Sequence, residues 1–187
     1  GPGRMGSMSI WEIANSKEFE LVGVRTYSES KNGLDAGEYV GIAPLGVKLS
    51  NDVEALLKID CDCIIYTPHD MGDYATDDEL LGLLAAGKNV VTPLPYQNAH
   101  LFREPEFLAK LDAACQKGQS TFHASGIDPD WVSDRILLAL TGACADVKTI
   151  LRQVLHPLHG LLKKTLLSRE CNELLGKARA GQRPEPR

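Results

Sequence analysis

Three glycines open the chain at a spacing that could hold phosphate: Gly1, Gly3 and Gly6 spell G-x-G-x-x-G. In a dinucleotide fold such glycines have separate jobs. One permits a tight turn, one lets backbone approach the pyrophosphate, and one lets the next helix pack against its strand. The start of that helix offers unpaired N–H groups and a partial positive charge to the phosphates. A lone G-x-G-x-x-G is a weak signal. Gly1-Pro2-Gly3 is also what a cloning scar leaves at a terminus. A helical pattern begins directly after the glycines and a strand pattern follows at the right distance, which favours the loop. No strand precedes Gly1, which does not.

About 20 residues beyond such a loop, the end of the second strand should carry an acid for the ribose hydroxyls of NAD. Here it carries Arg25-Thr26-Tyr27-Ser28, with Lys31 close behind. Arg25, Ser28 and Lys31 all donate hydrogen bonds, and two of them are cationic, so they suit a 2′-phosphate better. NADP(H) is therefore expected over NAD(H), with solvated surface residues as the plainer reading.

Other reactive side chains are less organised. Five cysteines (61, 63, 115, 144, 171) form no regular framework, and Cys61-Asp62-Cys63 enters an apolar strand, where free thiols usually act as small core residues. His156 and His159 have helical spacing, but Pro157 lies between them and no third metal ligand accompanies them. His123, at a strand end, is a candidate acid or a structural histidine.

The elements that would position these residues alternate along the chain. Ser7–Ser16 has a helical apolar face of Met8, Ile10, Trp11, Ile13 and Ala14. Phe19–Tyr27 is a strand pattern, and residues 28–50 form a loop dense in Gly, Asn, Asp and Pro. Asn51-Asp52 should cap a helix running to Lys58. Strands are expected at Cys61–Thr67, Asn89–Thr92, Ser120–Ser125 and Val147–Gln153. Between them lie helices opened by Thr76-Asp77-Asp78-Glu79 and ended by Gly87, running from Glu104 to Lys117 and closed by Gly118, and started by Asp128-Pro129-Asp130. Strands alternating with helices imply βαβ units and an α/β, doubly wound parallel sheet. If the glycine loop is real, the first strand is missing, and in the order 3-2-1-4-5-6 that strand is the central one. Its absence would leave ladder groups unpaired in mid-sheet.

Composition is that of an ordinary soluble domain: 43% hydrophobic and 24% charged residues over 187 positions. No apolar run approaches the roughly 18 residues of a membrane span, and the first twenty residues lack a signal-peptide core. A cytoplasmic location is expected. Charge is uneven: residues 1–147 carry 11 Lys+Arg against 22 Asp+Glu, whereas residues 148–187 carry 9 against 3.

Several stretches together resemble a known group. They are Glu20-Leu21-Val22-Gly23-Val24, Asp35-Ala36-Gly37-Glu38, the strand segment Asp62-Cys63-Ile64-Ile65-Tyr66-Thr67-Pro68, the run from Leu83 to Thr92, and Ala113–Ser120. The chain resembles, over about residues 1–150, the dihydrodipicolinate-reductase-like proteins related to 2,4-diaminopentanoate dehydrogenase and the native amine dehydrogenases. The resemblance implies an NAD(P)-dependent oxidoreductase with a Rossmann domain and a C-terminal α+β domain for substrate and dimerisation. It implies that Gly1, Gly3, Arg4, Met5 and Gly6 cradle the pyrophosphate and that Arg25, Ser28 and Lys31 meet the adenosine ribose. Thr67 and Pro68 would lie under the cofactor, and Thr92 near the nicotinamide. The sequence departs from the family where amine dehydrogenases place a glutamate after the fourth strand, since Pro93–Asn98 contains no acid. The paired-histidine motif of the true reductases is absent, and the H-G-T-G-x-x-P-G segment is altered to His123–Asp130, so no catalytic acid is named.

Two domains are expected: 1–150, nucleotide-binding, and 151–187, a basic helical or disordered tail in place of most of the substrate domain. Leu161, Leu162, Leu166 and Leu167 with Lys163, Lys164 and Arg169 make that tail amphipathic. The expected partners are a small-molecule substrate and a second copy of the chain as a homodimer, without nucleic acid or membrane. The expected activity is hydride transfer at a C=N or C=O centre. The alternative is a non-catalytic remnant that at best binds nucleotide or a protein partner.

Overall fold

The structure is a computed structural model that describes residues 2–69, 74–97 and 99–147. Gly1 and the tail beyond Val147, including His156, His159 and most of the strand expected at Val147–Gln153, lie outside the described residues. Residues Gly1–Ala145 form one compact unit. No helix among the described residues is long and apolar enough to cross a membrane.

Helices and parallel strands alternate as the sequence pattern requires, in a Rossmann-like α/β arrangement. Helix α1 (Arg4–Asn15) begins three residues earlier than expected, with Gly3 as its N-cap. Strand β1 is only Val24–Arg25, and pairs in parallel with β2, Leu49–Ser50. The seven other residues of the expected strand Phe19–Tyr27 are not strand, because among the described residues β1 has a ladder partner on one side only and that partner is two residues long. The expected loop 28–50 holds a 3-10 turn at Glu29–Lys31 and a short helix α2, Ala36–Tyr39. Helix α3 is Val53–Leu57, capped by Asp52, whose carboxylate accepts from the Ala55 N–H at 3.0 Å.

The second sheet has β3 (Ile64–Ile65), β4 (Val90–Thr92) and β5 (Phe122–Ala124) in that order, all parallel. Helices α4 (Asp77–Ala85) and α6 (Pro105–Gly118) connect them, with a short α5 (Ala99–Phe102) before α6. After β5 the chain winds as a π-helix over Ile127–Leu137 and ends in α7, Leu138–Thr141. The orders β2-β1 and β3-β4-β5 match the 3-2 and 4-5-6 flanks of a doubly wound sheet.

The core divides in the same way. One apolar cluster joins Ile10, Val24, Ala36 and Leu49; the other joins Tyr66, Leu80, Leu83, Leu84, Val90, Tyr96, Phe107 and Ala114. Only Ile10 of the expected α1 face is fully buried, while Met8 and Trp11 stay exposed at 55% and 46%. Gly118 is the last helical residue of α6, and the left-handed position falls on Gln119, at φ 51°. A Cβ on Gly118 would stand 1.9 Å from the Leu84 carbonyl, so this glycine is needed for close approach of α6 to α4.

Candidate active site: the glycine turn and the strand ends

The opening residues are packed into the body. Pro2 is fully buried, and its carbonyl accepts hydrogen bonds from the Tyr39 hydroxyl at 2.9 Å and the Lys31 ammonium at 3.2 Å. Lys31 also stands 5.1 Å from the centre of the Tyr39 ring, a cation–π distance. The turn after β1 thus delivers a cation to the start of α1. That helix has no acid in its first turn and no side-chain cap, which leaves its N–H groups to an external anion. Gly3 has open space where a Cβ would be, and Arg4 and Met5 are exposed beside it. Gly6 lies one turn on and faces a groove of about 230 Å³.

Arg25 ends β1. Its guanidinium pairs with Glu79 of α4 and lies 4.4 Å from the Tyr27 ring centre. Glu79 also accepts from the Tyr27 hydroxyl at 2.6 Å and from the Tyr66 hydroxyl at 2.7 Å. One carboxylate therefore ties the ends of β1 and β3 to α4. Burial raises both phenols above the ordinary tyrosine range, with the Arg25 charge opposing the rise at Tyr27. Arg25 keeps one buried donor, Nε, without a partner among the described residues. Ser28 caps the 3-10 turn; its N–H donates to Thr26 Oγ1 at 3.2 Å and its hydroxyl lies 2.7 Å from that of Ser30.

Thr67 and Pro68 follow β3 and line the same groove, half-buried. Thr92 ends β4 fully buried, with its hydroxyl spent on the Tyr66 carbonyl. The structure thus brings Pro2, Gly6, Arg25, Thr67 and Pro68 to one groove, with Lys31 bonded to Pro2 at its edge; Thr92 stays inside. His123 is exposed in β5 and does not line the groove. Cys61 and Cys63 are free thiols on its wall, and burial raises the Cys63 thiol.

Glu79, Tyr27, Tyr66 and Tyr39 were not singled out by sequence reasoning. Glu79 looked like one of three helix-opening acids; the available signal was a tyrosine at the end of each of two strand patterns.

The family model for the N-terminus of dihydrodipicolinate reductase matches residues 1–91. An amine dehydrogenase of Streptomyces virginiae is 31% identical over 155 residues, which are 80% of this chain and 42% of that protein. The chain is similar to the N-terminal part of the dihydrodipicolinate reductase-like and amine dehydrogenase proteins. A 4-hydroxy-tetrahydrodipicolinate reductase of Methanosarcina barkeri is 31% identical over 126 residues, covering 63% of this chain and 41% of its own length. The structure of amine dehydrogenase from Mycobacterium smegmatis matches with a TM-score of 0.61 and 26% identity, over 78% of this chain and 42% of that one. The chain spans about two fifths of the length of these relatives.

In this chain the Asp35-Ala36-Gly37-Glu38 motif is architectural. The Asp35 carboxylate accepts from the N–H groups of Gly37 (2.8 Å), Glu38 (3.2 Å), Leu45 (3.0 Å) and Gly46 (2.8 Å). A Cβ on Gly37 would come within 2.1 Å of the Ala43 carbonyl oxygen. The motif closes a loop that carries Tyr39 to Pro2. A second cluster stands beyond β4: Arg103 pairs with Asp77 inside a box of Tyr74, Tyr96 and Phe107, and burial pushes the Tyr96 phenol up to about 12.

Proposed function

We propose that this chain is the NADP(H)-binding part of an oxidoreductase that transfers hydride at a C=N or C=O centre of a small molecule. The observation that carries this is Lys31, held 3.2 Å from the Pro2 carbonyl where α1 begins. It sets a cation from the end of the second-strand turn beside a helix start free of acids. The buried Nε of Arg25, without a partner among the described residues, fits the same reading, because an anionic group on the ribose would satisfy it. Gly3, Arg4, Met5 and Gly6 would hold the pyrophosphate; Gly1 belongs to the same proposal.

When bound, the nicotinamide supplies the hydride, and the protein binds, orients and excludes water. Arg25, Ser28 and Lys31 would fix the adenosine end, with Thr67 and Pro68 beneath the cofactor. Thr92 would act by fixing the end of β3 through Tyr66. A cytoplasmic homodimer is part of the proposal.

The test is a fluorescence titration with NADPH and NADH. Saturable binding with NADPH preferred is expected. Lys31→Ala should weaken NADPH binding about tenfold and NADH binding less, since a charge-assisted hydrogen bond contributes about 1.5–3 kcal/mol. Gly3→Glu should abolish both. Binding of neither nucleotide would leave the alternative, a non-catalytic domain that serves a protein partner.

A further inference from the structure

Ligands of an open α/β sheet bind at the carboxyl ends of its strands. At the exits of β4 and β5 the chain pairs its polar groups with one another. The Thr92 hydroxyl donates to the Tyr66 carbonyl and accepts from the Leu94 N–H, and the Tyr96 N–H donates to the Leu94 carbonyl at 2.7 Å. After β5 the Ser125 N–H donates to the Thr92 carbonyl at 2.9 Å and the Ser125 hydroxyl to Asp130 at 2.9 Å. The Gly126 carbonyl accepts from the Trp131 N–H at 3.0 Å. Gln97 departs from this. Its amide Nε2 and Oε1 are both shut off from solvent, and neither has a partner among the described residues. The amide lies where the two exits pass each other: a Cβ added to Gly126 would stand 3.7 Å from Nε2 and 3.9 Å from the Cα and Cβ of Pro93. Pro93 has no N–H to offer it, and Gly126 no side chain.

We propose that Gln97 reads the carboxamide of the nicotinamide, with Nε2 donating to the carboxamide oxygen and Oε1 accepting from its NH2. This rests on the nucleotide reading of the chain. A buried donor and a buried acceptor on one plane are satisfied together by a group that offers an acceptor and a donor at the same spacing. A primary carboxamide does so through two parallel hydrogen bonds. A carboxylate would pair with Nε2 and leave Oε1 facing oxygen, whereas an ammonium would pair with Oε1 and leave Nε2 facing a donor. The position agrees. Strands β3, β4 and β5 make the 4-5-6 flank, and a dinucleotide lies across both halves of a doubly wound sheet. With Arg25, Ser28 and Lys31 at the adenosine end, the nicotinamide falls to this flank. No side chain stands between Nε2 and the backbone at Gly126, so seating the ring requires the β5 exit to move aside.

The experiment titrates the full chain by calorimetry with three ligands. They are NADP+, its acetylpyridine analogue, in which a methyl group replaces the carboxamide NH2, and adenosine 2′,5′-bisphosphate, which carries the adenosine end alone. The chain is expected to bind NADP+ at least about fivefold more tightly than the analogue, because the analogue leaves Oε1 buried without a donor. Gln97→Met keeps the volume and removes both unsatisfied groups, so it should fold and bind the bisphosphate as the parent chain does. It should bind NADP+ and the analogue within about twofold of each other. A structural role alone would weaken both dinucleotides equally and leave their ratio unchanged. Equal affinities in the parent chain, or a ratio that survives Gln97→Met, overturns the proposal. So does binding of the bisphosphate with NADP+ no tighter, a result that leaves the adenosine end standing. Binding of neither the bisphosphate nor NADP+ overturns the nucleotide reading, and this inference with it.

Discussion

The Thr92 hydroxyl donates to the Tyr66 carbonyl at 2.6 Å, in the ladder position where the next residue, Pro93, has no N–H to offer. The parallel register pairs Tyr66 N–H with the Val91 carbonyl, so the residue at 93 would normally donate back. Thr92 Oγ1 also accepts from the Leu94 N–H at 3.2 Å. A side chain thus completes a sheet that proline would interrupt, next to the strand end that carries Thr67 and Pro68. Thr92→Val should destabilise the fold by about 1–3 kcal/mol, the cost of a buried acceptor left unsatisfied, and Thr92→Ser should keep most of the stability. Urea unfolding of both variants checks this; an unchanged Thr92→Val midpoint would show the hydroxyl to be idle.

Glu79 holds Arg25, and a carboxylate in that place also repels a phosphate. If Arg25 serves the 2′-phosphate, Glu79→Gln should raise NADPH affinity relative to NADH several-fold, about 3- to 10-fold for one nearby charge removed at partial exposure. The same change should lower the thermal midpoint, since Glu79 ties Tyr27 and Tyr66 together. The ratio of the two dissociation constants is the measurement. A lower midpoint with an unchanged ratio would place Arg25 outside the ribose site.

Asp35 predicts an acid limit to stability. The N–H groups of Leu45, Glu38, Gly37 and Gly46 hold its carboxyl below the usual carboxylate range in the folded chain. A depressed folded pKa gives stability that is present above the unfolded value, about 3.9, and lost as pH falls through the folded one. Asp35→Asn should weaken the fold at neutral pH, because its amide would set a donor against either the Gly46 N–H or the other three. It should also flatten the fall in stability below about pH 4. Thermal melts from pH 3 to 7 on both proteins read the difference.

Gly37 and Gly118 should both resist substitution, for steric reasons. Each would place a Cβ against a backbone carbonyl, of Ala43 and Leu84 respectively. Gly37→Ala and Gly118→Ala should each cost about 1–3 kcal/mol or more, as overpacking against backbone does. Gly82→Ala, in the exposed part of α4 with nothing within 4 Å of the added carbon, should be neutral or stabilising by up to about 1 kcal/mol. Chemical denaturation of the three variants checks the contrast.

Local chemistry was readable from the chain. Asp52 as a cap, the acids opening α4, Gly87 at φ +84°, and the alternation of strand and helix all follow from short-range rules, and the structure agrees. The lengths of β1 and β3 were not readable, because a strand lasts only as far as its partners do. Phe19–Tyr27 is rich in strand-forming residues but has a ladder over two of its nine.

By itself, the sequence determined the fold class, the parallel connectivity and the glycine, cation and strand-end residues that could meet a dinucleotide. Those depend on periodicity, caps and side-chain chemistry, which are local. Tertiary structure alone decided that Lys31 and Tyr39 meet at Pro2, that Glu79 gathers Arg25, Tyr27 and Tyr66, and that Thr92 turns inward. Those pairings join residues 13 to 54 positions apart, and no sequence period encodes which donor a buried carboxylate or carbonyl will find. That choice follows from which backbones pack close enough to leave the group without water.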